Sequence, residues 1–280
     1  MERVQLDSRL LPFVTLGLLI GYHPLVRAAD ALPSADAVIH KAVERAKWVE
    51  EQKFEANHAF TQLSVKEEFD DHGVVKDREE LLYHVYPVER FPYAELIQKN
   101  GKPPSQQDLK KERDRQKKLR ERWARQGRHK DDEEVSFDEE LAGKYRFEMV
   151  RREPVNGRTA FLLRFEPKSN DIPARRKVDR VINMLEGSLW IDESDYDIAK
   201  VEFRLRENVM IGWGLLAVFR RLDVSFEQAR GTDGVWLPSR IDAYVDGRVL
   251  FKSFHLRQRE QMSDFRNANA EGENVTLATK

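Results

Sequence analysis

His40 and Glu44 are the first pair of side chains in this chain that could bind a metal ion together. They are four residues apart and would share one face of a helix. A structural or catalytic metal site needs three or four ligands at defined spacing, and no third ligand accompanies them. The sequence contains no cysteine, which excludes thiolate ligands, disulfides and cysteine nucleophiles. The pair is therefore interpreted as a solvated His–Glu pair.

Three carboxylates, those of Asp192, Asp195 and Asp197, crowd one short segment and present the oxygen ligands that calcium prefers. The segment lacks the glycine and the bidentate glutamate of an EF-hand loop. A dense run of aspartates is also typical of a chain reversal. The pattern favours a plain hairpin turn over a calcium loop.

Tryptophans could stack on a ligand, and Trp190, Trp213 and Trp236 are the candidates, although aromatic side chains on strands are more often part of a core. The sequence has no GxSxG, HExxH, GxGxxG or Walker motif. We therefore predict no catalytic residue, no metal site and no cofactor, and interpret the protein as a non-enzyme.

The composition is that of a folded, hydrophilic protein, with 35% charged and 40% hydrophobic residues. The formal net charge of −1 gives no overall attraction to nucleic acid. Nucleic acid is therefore not an expected partner.

The N-terminus resembles an export signal. Leu10–Tyr22 is apolar but shorter than the about 20 residues that span a bilayer. Small residues precede a cleavage site after Ala28 or Ala29, so residues 1–29 are predicted to be a secretory signal peptide. The alternative is an uncleaved membrane anchor, and both place the rest of the protein outside the cytoplasm.

The stretch Gly187–Leu205 organises the predicted fold. Val201, Phe203 and Leu205 alternate with charged residues, as expected for an antiparallel strand with one apolar and one solvated face. Phe161, Leu163 and Phe165 repeat the pattern in a strand that follows an Asn156-Gly157 turn. The other predicted elements are a helix at 35–53, a hairpin at 59–88, a strand at 145–152, a short helix at 175–185, and strands at 222–226, 239–245 and 249–256.

Two features are predicted to interrupt or reverse strands. Pro87, Pro92 and the run Asn100–Pro104 are expected to break the sheet pattern. Asp246-Gly247 is expected to form the turn between the last two strands.

A second predicted helix, Gln106–Gln126, contains many lysine and arginine residues. The side chains of Lys110, Arg113, Lys117 and Arg120 could contact an anionic membrane or another phosphate-bearing partner. The alternative is a solvated charged insertion over residues 105–140, whose acidic run at 131–134 neutralises the helix.

Met210–Phe219 is the most apolar stretch after the N-terminus. It is too short to span a bilayer. It either fills a cavity or forms a membrane-facing or partner-facing edge, with Trp213 at its centre.

The motifs Gly187–Asp192, Ile198–Phe203, Gly234–Pro238 and Asn100–Pro103 are similar to those of the outer-membrane lipoprotein-sorting superfamily, the LolA/LolB-like proteins, and of its uncharacterised periplasmic branch. The resemblance covers residues 30–266, and residues 267–280 are predicted to be a flexible tail. It implies an α+β fold, a curved antiparallel half-open β-barrel with helices covering the concave face.

The resemblance also implies a function, the carriage of lipid or lipoprotein acyl chains through the periplasm in an apolar cavity. An envelope protein partner is the alternative, because the same fold is similar to a domain of non-catalytic envelope-stress sensors or scaffolds. The side chains expected to line the apolar cavity are Phe161, Leu163, Phe165, Val201, Phe203, Leu205 and Trp213.

Overall fold

The computed structural model of the protein describes residues 31–52, 57–88, 91–126, 135–169, 172–176, 178–211, 216–231 and 233–268. The predicted signal peptide, Trp213, the acidic run at 131–134 and the tail beyond residue 268 lie outside the described residues. The predictions for these segments stay predictions.

The dominant feature is one open antiparallel sheet of eleven strands, in the order β3-β2-β1-β11-β10-β9-β7-β6-β5-β4, with β8 paired to β9. β3 and β4 end the path, so the sheet does not close on itself. The predicted α+β class with a half-open antiparallel sheet is confirmed. The strands are β1 His58–Phe69, β2 Val75–Val88, β3 Phe91–Lys99, β4 Tyr145–Val155, β5 Arg158–Pro167, β6 Leu185–Asp192, β7 Ile198–Leu205, β8 Val209–Ile211, β9 Ala217–Arg230, β10 Trp236–Val249 and β11 Lys252–Asn267.

The helices within the described residues are α1 Ala35–Gln52, α2 Gln106–Gln126, α3 Glu139–Gly143 and α4 Asp179–Ile182. Both long helices begin at a serine whose hydroxyl accepts a hydrogen bond from an amide three residues later. Ser34 Oγ lies 3.3 Å from the nitrogen of Ala37, and Ser105 Oγ lies 3.2 Å from that of Asp108. These caps satisfy donors that a helix N-terminus otherwise leaves unpaired.

The alternation of side chains gives the sheet two unlike faces. Residues paired directly across neighbouring strands share a face, and the register aligns Leu163 with Leu189, Leu189 with Val201, and Val201 with Phe226. This apolar face also carries both long helices, and we call it the helix face. The other, charged face is called the open face.

α1 covers one end of the helix face. Val38, Ile39, Ala42 and Val43 form one buried cluster with side chains of β5 and β6. Full burial of an aliphatic or aromatic side chain stabilises by about 1.5–3 kcal/mol, so this contact is enough to fix the helix. The strand residues of the cluster are Phe161, Leu163, Leu189 and Ile191.

The turn between β6 and β7 is built on a buried ion pair. The carboxylate of Asp192 is 1% exposed and accepts from Arg158 Nε at 2.7 Å and Nη2 at 2.8 Å. It also accepts from the backbone amides of Ser194 and Asp195. Burial by itself raises the pKa of Asp192, but these hydrogen bonds outweigh it and hold the pKa below the usual value.

The same turn ties α1 to the sheet. Arg45 Nε of the helix donates to Asp197 Oδ2 at 2.7 Å. The pKa of Asp197 is raised, because burial outweighs the attraction of Arg45. Asp195 accepts a hydrogen bond from Arg230 Nε at 2.7 Å. Each of the three carboxylates considered as calcium ligands therefore contacts an arginine. The hairpin-turn interpretation is the one that this geometry supports.

Three local predictions were wrong. Neither Pro87 nor Pro92 interrupts the sheet, because Pro87 lies near the end of β2 and pairs with Pro92 of β3. β3 is an edge strand, where a proline's missing N–H leaves no inner ladder position unpaired. The short helix is limited to Asp179–Ile182, since Leu185 already begins β6.

The third error concerns Asp246-Gly247, which lies inside β10 and not in a turn. A Cβ at Gly247 would lie 2.5 Å from the carbonyl oxygen of Val218 and 2.8 Å from the ring of Phe254. The glycine permits close packing of neighbouring strands, and the chain reverses later, at Leu250 and Phe251.

A close approach of β6 and β7 at Gly187 generates a testable prediction. A Cβ there would lie 1.9 Å from the backbone oxygen of Glu202, which cannot rotate away. We expect Gly187→Ala to lower the free energy of unfolding by about 3 kcal/mol, measured by urea denaturation. The matched control is Gly143→Ala in α3, where a Cβ meets nothing within 4 Å. Equal stability of the two variants would show that β6 and β7 do not approach this closely.

Candidate functional site

The centre of the helix face carries a band of half-buried apolar side chains, which we call the apolar strip. It lies on β7, β9, β10 and β11, between the strands packed under α1 and those packed under α2. Its side chains are partly exposed, in contrast to the buried cluster under α1. The apolar strip consists of Phe203, Leu205, Leu222, Val224, Phe226, Ile241, Ala243, Val245 and Leu256.

The side chains predicted to line a cavity divide into two groups. Phe161 and Leu163 are buried in the cluster under α1, and Phe165 and Val201 pack against it. The remaining two described residues, Phe203 and Leu205, belong to the apolar strip. The structure therefore places all six on one face, with two buried under α1 and four half-buried.

α2 lies over the opposite end of the helix face. Tyr83 and Leu96 belong to the buried cluster of β2 and β3 beneath it. Gln116 of the helix is buried and donates to the carbonyl of Ala94 at 3.3 Å, and the hydroxyl of Tyr83 lies 3.4 Å from Glu112. Burial, with Glu112 nearby, raises the pKa of Tyr83 to about 12. α1 and α2 thus stand on either side of the apolar strip.

A polar network borders the apolar strip where β11 meets β1. Gln258 Nε2 donates to the hydroxyl of Ser64 at 2.7 Å, and Gln62 Nε2 donates to Glu260 at 3.2 Å. The register aligns Glu260 with Ile241, so the network lies on the helix face, next to apolar side chains. The helix face therefore offers an apolar surface with a hydrogen-bonding margin.

The open face carries a different feature, a groove of about 880 Å³. Ion pairs line it, including Arg257 with Asp242 at 2.6 Å and Arg204 with Glu186 at 2.9 Å. Hydrogen bonds from Arg257 lower the pKa of Asp242. The charged residues of the groove are Arg146, Glu148, Arg164, Glu166, Glu186, Glu202, Arg204, Arg221, Asp223, Asp242 and Arg257.

Arg164 differs from the other arginines of the groove. Within the described chain it forms no ion pair or hydrogen bond through its guanidinium group, and it is exposed. Sequence reasoning missed the groove. The alternation of Glu202 and Arg204 predicted a solvated face, but no sequence pattern shows that charged side chains of seven strands line one depression.

The other candidates from the sequence have structural roles or remain exposed. Trp190 and Trp236 are buried, and their indole nitrogens donate to the carboxylates of Glu153 and Asp195. His40 and Glu44 are an exposed pair 3.5 Å apart. In the part of the chain that the structure describes, no three histidine or acidic side chains are arranged to hold a metal ion.

The basic residues of α2 are mostly in solvent. Lys110, Arg113 and Lys117 are exposed, whereas Arg120 is half-buried. Among the described residues, no helix is both long and apolar enough to cross a bilayer.

No family model matches the sequence, and no curated protein matches it. Solved structures match at low identity. An outer membrane lipoprotein-sorting protein domain from Vibrio parahaemolyticus is 13% identical, with 81% of this chain and 92% of that chain covered and a TM-score of 0.33. A LolA superfamily protein from Nitrosomonas europaea is 15% identical, with 88% and 96% covered and a TM-score of 0.29.

A third match is MucB from a complex with the periplasmic part of MucA, at 10% identity, with 81% and 98% covered and a TM-score of 0.23. The superfamily that the sequence motifs resemble is thus named among the matched structures. The likeness concerns the fold.

The cap of α2 generates a prediction about acid. Asp108 accepts from the Ser105 hydroxyl at 2.5 Å and from Lys99 Nζ at 3.1 Å, and these contacts lower its pKa to about 2. A carboxyl with a lowered pKa stabilises the folded state above its unfolded pKa of about 3.9, and this contribution disappears as the pH falls through the folded value.

We therefore expect the amide-exchange protection factors of α2 to hold from neutral pH to about pH 4 and to fall towards pH 2. Amides of β5, which is paired on both sides, serve as the internal reference. In Asp108→Asn, protection of α2 should be lower at neutral pH and should lose this step. A step of the same size in the variant would show that another group titrates.

Proposed function

We propose that the protein is a non-enzymatic carrier or binder of lipid or lipoprotein acyl chains outside the cytoplasm, with the apolar strip as the binding surface. The observation that carries the proposal is the half-buried apolar strip between two helices on one face of the sheet. The strip crosses four strands, a width of about 14 Å at the usual strand spacing. Partly exposed apolar surface of this extent, bounded by helices, suits a chain-like apolar ligand.

Binding of an apolar ligand to this surface needs no catalytic residue. Each methylene group that leaves water for an apolar surface contributes about 0.8 kcal/mol. Within the length of the strip, affinity should therefore increase about fourfold for each methylene added to the ligand. The polar network of Gln62, Ser64, Gln258 and Glu260 lies where a hydrogen-bonding head group would emerge.

The compartment follows from the predicted signal peptide, and we propose the periplasm. Weak attraction of α2 to anionic membranes would assist loading and release, because Lys110, Arg113 and Lys117 project into solvent. Such attraction is screened by salt. It should disappear when these charges are reversed, and an unchanged affinity for anionic vesicles would contradict it.

The test of the carrier proposal compares substitutions at two neighbouring residues whose side chains lie on opposite faces of the sheet. Phe203→Ser removes apolar surface from the strip, whereas Arg204→Ser alters the open face of the same strand. We expect Phe203→Ser to weaken binding of a fluorescent fatty acid by at least about tenfold, as the loss of a large apolar contact implies. Native mass spectrometry of the purified protein should show bound lipid in the wild type. If only Arg204→Ser weakens binding, the ligand lies in the groove and the proposal is wrong.

The groove supports a second candidate, binding of a polypeptide partner. Its alternating arginines and carboxylates suit a polar segment of both charges, and the exposed guanidinium group of Arg164 is available to a carboxylate. Charge complementarity of this kind contributes mainly to specificity and association rate.

This candidate predicts position-dependent cross-linking in cells. A photo-cross-linking amino acid at Ser188, in the groove, should capture one defined polypeptide, and Arg164→Glu should reduce that product severalfold. The control position is Thr159, which is exposed on the other face of β5. Equal capture from both positions would show non-specific contact and remove the support for a partner in the groove.

A further inference from the structure

The turn between β10 and β11 exposes large apolar side chains at one end of the sheet. Phe251 is 96% exposed, and Leu250 and Val249 beside it are 51% and 48% exposed. An isolated exposed leucine needs no explanation, but a phenylalanine almost wholly in water between two other exposed apolar residues does.

The backbone conformation of this turn disfavours the residues that occupy it. Val249 pairs with Lys252, so Leu250 and Phe251 are the two residues of a tight hairpin loop. Leu250 has a φ of +53°, a left-handed conformation that glycine and asparagine adopt readily and leucine does not. A two-residue loop with a positive φ at its first residue alone favours glycine at that position. Asn156-Gly157, where both residues have a positive φ, has the residues that its own turn type favours.

The β10–β11 turn therefore keeps apolar side chains at a cost in local stability. Phe251 gains almost nothing from packing, since its ring is in solvent. Leu250 and Phe251 disfavour the turn conformation and contribute nothing to the core. Such residues are expected where function requires them.

A second loop contributes to the same apolar end. The amide of Leu250 donates to the carbonyl of Leu216 at 2.9 Å, which joins the β10–β11 turn to the β8–β9 connection. Leu216, at the end of that connection, is 55% exposed, and Met210 of the adjoining strand β8 is 59% exposed. We call the five side chains of Met210, Leu216, Val249, Leu250 and Phe251 the apolar tip.

Positive charge flanks the apolar tip in sequence. Arg248 and Lys252 bracket the three apolar residues of the turn. An aromatic and aliphatic protrusion beside basic residues matches a bilayer interface, where apolar groups enter the acyl region and cations meet anionic head groups.

We propose that the apolar tip inserts into the surface of an anionic lipid bilayer and docks the protein there. A convex turn favours a bilayer over a protein partner, because a fluid lipid surface accommodates a protruding side chain without a preformed pocket. The proposal goes beyond the carrier function, since a protein without acyl cargo would dock equally well.

The experiment is co-sedimentation with vesicles of phosphatidylethanolamine and phosphatidylglycerol, compared with vesicles of phosphatidylcholine alone. The decisive variant is Leu250→Gly with Phe251→Asn, which installs the residues that this turn favours. We expect the bound fraction to fall at least fivefold, while the melting temperature stays the same or rises. A structural role of Leu250 and Phe251 predicts a lower melting temperature, so stability and binding separate the two explanations.

Two further variants complete the design. Phe251→Leu keeps an apolar side chain and should retain most of the binding. Val135→Ser removes a comparably exposed apolar residue elsewhere and should leave binding unchanged. If the wild type does not sediment with anionic vesicles, or if the double variant binds like the wild type, the proposal is overturned. Fatty-acid affinity of the double variant should equal that of the wild type, so failure of docking and failure of the carrier function are distinguishable.

Discussion

The buried ion pair between Asp192 and Arg158 is the contact on which the arrangement of the helix face depends. A carboxylate that is 1% exposed would be costly without partners, and here two guanidinium donors and two backbone amides supply them. The turn that this pair closes also presents Asp197 to Arg45, and so fixes α1 along β5 and β6. Because α1 is held at that end, the strands from β7 onwards keep their apolar side chains only half-buried.

The two faces of the sheet then offer two different surfaces. The helix face presents an apolar strip with a polar margin, whereas the open face presents a groove of paired charges. The first suits association driven by apolar burial, and the second suits association driven by charge complementarity.

The β10–β11 turn shows how departure from a local rule can point to function. Most turns in this chain follow the expected chemistry, as at Asn156-Gly157. Leu250 and Phe251 violate it without a gain in packing, whereas Gly247, which was expected to form the turn, has a packing reason to lie in the strand. Gly247 is therefore required by the close approach of neighbouring strands, whereas the fold itself does not require Leu250 and Phe251.

The sequence by itself determined the elements whose signal is local. The period of two in β5 and β7, the apolar stripe of α1 and the Asn156-Gly157 turn each depend on neighbouring residues, so the hairpins, the helix and the division into two faces could be predicted. Only the tertiary structure decided which apolar residues are buried and which remain accessible. Phe161 and Phe203 have the same pattern, but α1 packs over the first and not the second. The groove likewise depends on register between distant segments, which no local pattern encodes.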